Sequence, residues 1–134
     1  MTTRLAAQGR TEVSVFKSVT YDQPQDGPKL IEVQLVETFL GDIEGEGKAR
    51  VLQAQRDDGS IRYCTIERVV GAVAGRKGSF LLQVEGSVQD KHNKGAWFVI
   101  AGSGTGDLRG LRGDGGFEAD LGKHGSWRLD YWFE

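Results

Sequence analysis

The chain has 134 residues, enough for one domain that buries roughly 65 to 70% of its unfolded surface. Its 17 basic and 19 acidic side chains are interspersed, so no basic surface for nucleic acid or an anionic membrane is expected. The single cysteine closes no internal disulfide, and the sequence contains neither a signal-peptide core nor an apolar run of membrane length. We therefore expect a single cytoplasmic domain over residues 1–134, with disorder only in residues 1–8.

Apolar and polar residues alternate with period two along most of the chain, which is typical of strands with one buried face. The last segment shows this most clearly, with Trp127, Leu129, Tyr131 and Phe133 on one face. Eight strands are predicted, near residues 11–21, 29–40, 48–56, 61–70, 79–88, 96–101, 116–121 and 126–133.

The connections between these segments are too short for crossover helices, and residues 57–59 (Asp-Asp-Gly) are typical of a hairpin turn. No window carries a convincing helical apolar pattern, so at most a short helical turn is expected. Eight antiparallel strands form either a sandwich or a closed barrel, and periodicity leaves both open.

Residues 102–116 are dense in glycine and contain two leucine-arginine steps, Leu108-Arg109 and Leu111-Arg112. Glycine reaches positive φ without steric cost, so this stretch predicts a tight, partly buried corner between strands. It lacks the spacing and the strand-to-helix context of a phosphate-binding loop. Arg109 and Arg112 are interpreted as surface charges.

Several segments together resemble a family of small bacterial proteins of unknown function whose fold is the barrel of plant allene oxide cyclase. The segments that carry the resemblance are residues 38–47, 67–69 with Gly71, 78–83, 97–116 and 129–134. The resemblance implies a closed eight-stranded antiparallel β-barrel.

The positions that resemble the cyclase do not carry its reactive residues. Val15, Phe16 and Lys17 stand where the cyclase has a glutamate and an asparagine, and Val69 stands where it has a tyrosine. The resemblance therefore implies the fold and not that particular cyclisation.

Glu67 is the candidate catalytic residue. It shares one face of the fourth strand with Tyr63, Thr65 and Val69, and the resemblance places that face inside the barrel. Burial raises the pKa of an unpaired carboxyl group, which suits a general acid or base. The alternative is a structural role in which Glu67 pairs with Arg50 or hydrogen-bonds Tyr63.

Five further residues are candidates for ligand binding because they combine a polar atom with an apolar or strand setting. They are Tyr63, Thr65, Gln83, Trp97 and Tyr131. For each of them a purely structural role in the core or sheet is the alternative. Cys64 is interpreted as a buried thiol, and His92 and His124 as solvated loop residues without the spacing of a metal site.

Three hypotheses about function follow. The first is a cofactor-free enzyme, an isomerase, cyclase or lyase that holds a small apolar substrate in the barrel with Glu67 as acid or base. The second is a lipocalin-like carrier of a small hydrophobic molecule. The third is a filled barrel that serves in assembly as a homo-oligomer, through outer apolar residues such as Phe98, Ile100 and Trp132. No cofactor or metal is expected in any of them.

Overall fold

The structure is a computed structural model that describes residues 3–134. It forms the predicted closed barrel of eight antiparallel strands, in which each strand pairs with its sequence neighbours and β8 pairs with β1. The strands are β1 (Leu5–Asp22), β2 (Lys29–Gly41), β3 (Ile43–Gln55), β4 (Ile61–Val73), β5 (Arg76–Gln89), β6 (His92–Val99), β7 (Leu111–Asp120) and β8 (Gly125–Phe133). One 3-10 turn, Gly106–Leu108, precedes β7.

The first strand begins earlier than the sequence predicts. Disorder was expected in residues 1–8, but Leu5 opens β1 and pairs with Tyr131 of β8. This pairing closes the barrel, and closure satisfies backbone groups that would otherwise lie at a sheet edge. Residues 1 and 2 lie outside the described part of the chain.

The sixth strand also begins before its predicted start at residue 96. The turn between β5 and β6 is made by Asp90 and Lys91, both at positive φ, and Gly95 lies within the strand. A Cβ atom on Gly95 would collide with the ring of Phe117. Gly95 is therefore a packing position inside the strand and not a turn position before it.

The two ends of the barrel differ. The turns β1–β2, β3–β4, β5–β6 and β7–β8 lie at one end, which we call the hairpin end. The glycine-dense connection lies at the other, the corner end, where Leu108 and Leu111 are fully buried. Hydrogen bonds from Thr105 N to Ser79 O (2.9 Å) and from Leu81 N to Ser103 Oγ (3.1 Å) hold this connection against β5, as the predicted corner requires.

Inward-facing side chains fill most of the space inside the barrel, which we call the lumen. At its centre, Trp97 packs against Phe39, Phe117 and Trp127, with ring centroids 5.2 to 6.3 Å apart. Both indole nitrogens donate to backbone carbonyl oxygens, Trp97 to Arg128 and Trp127 to Arg10. A smaller apolar cluster of Ile31, Val33 and Val51 lies toward the hairpin end, with Leu35 and Tyr63 against it. The candidate site lies between the two clusters.

Candidate functional site

Glu67 projects into the lumen from β4. Tyr63, Thr65, Glu67 and Val69 form the inner face of that strand. Glu67 is only 3% exposed. Strand alternation fixes this direction, because the neighbours Ile66 and Arg68 lie on the exposed outer face. A carboxyl group thus lies within an otherwise apolar interior.

A glycine on β3 makes room for this carboxyl group. A Cβ atom on Gly47 would collide with Oε2 of Glu67 and with the ring of Phe39. The carboxyl group therefore reaches across β3 and lies over the Gly47 backbone, beside the aromatic cluster.

Glu37 on β2 is the second carboxyl group of the site, and the sequence analysis missed it. Glu37 is the register partner of Gly47, the same glycine that the Glu67 carboxyl group covers from the other side. The two side chains lie within hydrogen-bonding reach of each other, and Glu37 is half-buried. We call Glu37 and Glu67 the carboxyl pair.

The environment favours a shared proton in the carboxyl pair. Burial, followed by the charge of Glu37 and the hydrogen bond with it, raises the pKa of Glu67 well above its ordinary value of 4.5. Burial raises the pKa of Glu37 as well, although its hydrogen bond with Glu67 acts in the opposite direction. Two carboxyl groups that hydrogen-bond to each other need one proton between them, so the pair titrates as a unit.

Two buried polar atoms at this site have no hydrogen-bond partner among the described residues. They are Oε2 of Glu67 and Oγ1 of Thr65, which lie on the same inner face of β4. Thr65 is only 8% exposed. Buried polar atoms are nearly always paired, so these two are exceptions within the apolar interior of the barrel.

Tyr63 completes the polar side of the site toward the hairpin end. Its hydroxyl group donates a hydrogen bond to Oδ1 of Asn93 on β6. Burial is the largest cause that raises the pKa of Tyr63, and the charge of Glu37 adds to it, so the phenol stays neutral. The hydrogen bond to Asn93 holds the phenol in place.

Glu67 makes neither of the two structural contacts considered from the sequence, the ion pair with Arg50 and the hydrogen bond with Tyr63. Arg50 points outward and pairs with Glu32, with Nη1 and Oε1 2.6 Å apart. Tyr63 bonds to Asn93 and not to Glu67. The partner of Glu67 is another acid, which raises its pKa where an arginine would lower it.

The structure brings some of the predicted site residues together and separates others. Tyr63, Thr65 and Glu67 share one wall, and Trp97 lies behind Phe39. Tyr131 is buried near the corner end, where its ring packs edge-on against Phe133. Gln83 is exposed on the outer face of β5 because Leu82 and Val84 take the inward positions, so its expected place in the pocket is corrected.

Two minor interpretations are also corrected. Cys64 is exposed, because the inward positions of β4 belong to Tyr63 and Thr65. His92 is the first residue of β6 and bonds to Asp120 (2.9 Å) and Glu118 (3.1 Å). Both hydrogen bonds raise the pKa of His92.

The outer surface carries a concavity of about 900 Å³ that spans β4 to β8 and reaches Gln8 and Gly9 on β1, and in it Arg62, Lys94 and Arg128 alternate with Glu85 and Glu118. Neither Glu37 nor Glu67 lines it.

Residues 3–134 contain no group of three or more His, Cys, Asp or Glu side chains arranged to hold a metal ion. Within the same range, no helix is long and apolar enough to cross a bilayer.

The fold and the site together define a closed up-and-down β-barrel with a buried carboxyl pair in its lumen. Residues 7–131 match the family described as "Protein of unknown function (DUF3224)", and the chain belongs to this family, as the sequence resemblance predicts. A crystal structure of a DUF3224 protein of unknown function from Shewanella oneidensis MR-1 is similar, with a TM-score of 0.82 and 31% sequence identity. The similarity covers 100% of this chain and 98% of that one. No curated protein matches the sequence.

The raised pKa of Glu67 makes stability depend on pH. The native chain holds a proton that the unfolded chain releases above the ordinary glutamate pKa, so unfolding becomes easier as pH rises above 4.5. We expect Glu67→Gln to remove much of this pH dependence and to be more stable than the wild type at the upper end of the range. Urea unfolding at a series of pH values above 4.5 measures the free energy of unfolding of both proteins.

Glu46→Gln is the matched control, because Glu46 lies on β3 with its side chain exposed. Glu46→Gln should keep the wild-type dependence of the free energy of unfolding on pH. Parallel curves for Glu67→Gln and the wild type would contradict a proton held at Glu67.

Proposed function

We propose that the barrel binds a small, neutral, largely apolar molecule in the lumen, next to the carboxyl pair. The observation that carries the proposal is the presence, among residues 3–134, of two buried polar atoms without partners, Oε2 of Glu67 and Oγ1 of Thr65, on one face. The proton of the pair lies between the two acids, so the hydroxyl group of Thr65 is the donor that remains, and the ligand presents an acceptor oxygen such as a carbonyl.

The charge of the site argues for a neutral ligand. An anion would meet the negative charge that the carboxyl pair carries after losing a proton. A cation would pair with that charge, but it would also lose its hydration beside apolar side chains such as Phe39. A neutral molecule with one acceptor avoids both costs.

The hairpin end is the side from which we expect the ligand to enter. There the lumen-facing residues Leu35, Glu37 and Tyr63 are only half-buried, whereas Leu108 and Leu111 close the corner end. A ligand entering from this side meets Leu35 and Glu37 before it reaches Thr65 and Glu67.

Binding of Nile red, a neutral apolar dye with a carbonyl oxygen, tests this proposal. We expect dye fluorescence to rise on binding to the wild type, and Leu35→Trp to weaken the affinity by about tenfold or more because the larger ring obstructs the entrance. Thr65→Val, which keeps the size of the side chain, should weaken it about fivefold through the lost hydrogen bond.

Leu52→Trp is the control for the added ring, since Leu52 lies on the outer face of β3 and is exposed. It should bind the dye like the wild type. Equal affinities for the Leu35 and Leu52 variants, both checked for folding by circular dichroism, would place the dye outside the lumen and count against the proposal.

Assembly is a second candidate function, favoured by the free edge of β1. β8 pairs with β1 only up to Thr11, so the segment Glu12–Asp22 has β2 as its one partner strand. Exposed apolar side chains follow this edge, namely Val13, Val15, Phe16, Val19 and Tyr21. An unpaired apolar strand edge is a template for pairing with another strand. We expect that strand to be β1 of a second copy, related by a two-fold axis.

Light scattering after size-exclusion chromatography tests this second candidate. We expect a dimer for the wild type and a monomer for Val19→Lys, because each copy would bring an added charge into the apolar edge. Val70→Lys changes an equally exposed valine on the outer face of β4 and should stay dimeric. A monomeric wild type at about 100 µM protein would exclude assembly through this edge.

A further inference from the structure

The free edge of β1 is bounded at one end by β8, which limits how another strand can pair with it. β8 occupies this edge up to Thr11, the register partner of Gly125. Among residues 3–134, no strand pairs with the edge from Glu12 to Asp22. An added strand must fit within this segment, because a longer overlap would collide with β8.

Both faces of the segment carry exposed apolar side chains. Phe16 lies on the lumen face, since its register partner is Leu35, and it is 61% exposed. Val15 and Val19 lie on the outer face and are exposed as well. Apolar residues on both faces are typical of a strand that is covered by further structure and not of one at a solvated sheet edge.

Symmetry limits the register in which two copies of β1 can pair. In an antiparallel pair, residues directly opposite each other lie on the same face of the sheet. The two-fold axis that relates two antiparallel copies of one strand is perpendicular to the sheet, so one residue of the strand lies opposite its own copy. The identity of that residue defines the register.

Two positions near the middle of the free segment are excluded. With Phe16 opposite its own copy, Tyr21 of the second copy would reach Thr11, where β8 already pairs with the edge. With Lys17 opposite its own copy, two like charges would lie directly across from each other, which is destabilising. Ser18 is the next position along the strand, and it has neither defect.

The register with Ser18 opposite its own copy gives compatible pairs on both faces. Phe16 lies opposite Thr20 on the lumen face, and aromatic and β-branched residues are favourable cross-strand pairs. Lys17 lies opposite Val19 on the outer face, where its aliphatic stem covers the valine and its ammonium group stays in water. The edge is thus complementary to itself, which favours a second copy of this chain over an unrelated strand.

We infer that two copies of the chain form a two-fold dimer in which their β1 strands pair antiparallel, with Ser18 of each opposite its own copy. This inference rests on the second proposed function, assembly through the free edge, and it adds the register. The strand of the second copy takes the place on β1 that β8 leaves free, so one sheet continues from one barrel into the other. Phe16, beside Leu35 at the proposed entrance, then packs against Thr20 of the second copy. Each copy therefore contributes to the lumen entrance of the other.

Cysteine cross-linking in the full chain tests the register. The exposed Cys64 is first changed to serine, and Phe16, Lys17, Ser18 and Val19 are then changed to cysteine one at a time and oxidised with copper phenanthroline. Ser18→Cys should form a covalent dimer about tenfold faster or more than the other three variants, because only its thiols lie opposite each other within reach of a disulfide. Non-reducing gel electrophoresis measures the rate, and light scattering before oxidation measures the oligomeric state.

A mixture of Lys17→Cys and Val19→Cys is the matched control, because these two positions lie opposite each other in the inferred register. The mixture should cross-link, although neither variant does so rapidly alone. Fastest cross-linking at Phe16, Lys17 or Val19 alone would overturn the register and leave assembly through the edge standing. A dimer that cross-links at none of the four positions, or a monomer, would overturn the register and the edge assembly together.

Discussion

The interaction on which the site depends is the meeting of two carboxyl groups over a single glycine. Gly47 lies between Glu37 and Glu67 in the barrel wall, and it has no side chain to keep them apart. Two negative charges within hydrogen-bonding reach of each other in an apolar interior repel strongly, so the pair retains one proton at lower free-energy cost. The raised pKa of both acids follows from that constraint.

Closure of the barrel creates the buried, apolar surroundings that raise the pKa values of the carboxyl pair. The pairing of β1 with β8 encloses the lumen, and the cluster of Phe39, Trp97 and Trp127 excludes water from one side of Glu67. Both indole groups satisfy their own polar atoms on backbone carbonyl oxygens. The aromatic cluster therefore adds apolar surface without competing for the carboxyl pair or for a ligand.

Much of the fold could be predicted from sequence, because strand alternation is a local property. The inward direction of Glu67 could be predicted by adding the family resemblance. Glu37 could not, since its proximity to Glu67 depends on the register of β2 and β4 against β3, which links residues 30 positions apart. Gln83 was misplaced because the apolar run around it was interpreted without the alternation of Leu82 and Val84. The predicted start of β6 at residue 96 is four residues late, because a glycine that makes room for a ring, as Gly95 does for Phe117, looks the same in sequence as one that bends the chain.

The protonation state of the carboxyl pair is the central claim, and it is directly measurable. In protein labelled with ¹³C at the glutamate side-chain carboxyl carbon, Gln variants at positions 37 and 67 assign the two signals of the pair in a pH titration. The account predicts that the Glu67 signal keeps the chemical shift of a protonated acid well above pH 4.5, the ordinary value for a glutamate. A Glu67 signal that titrates at that ordinary value would contradict it.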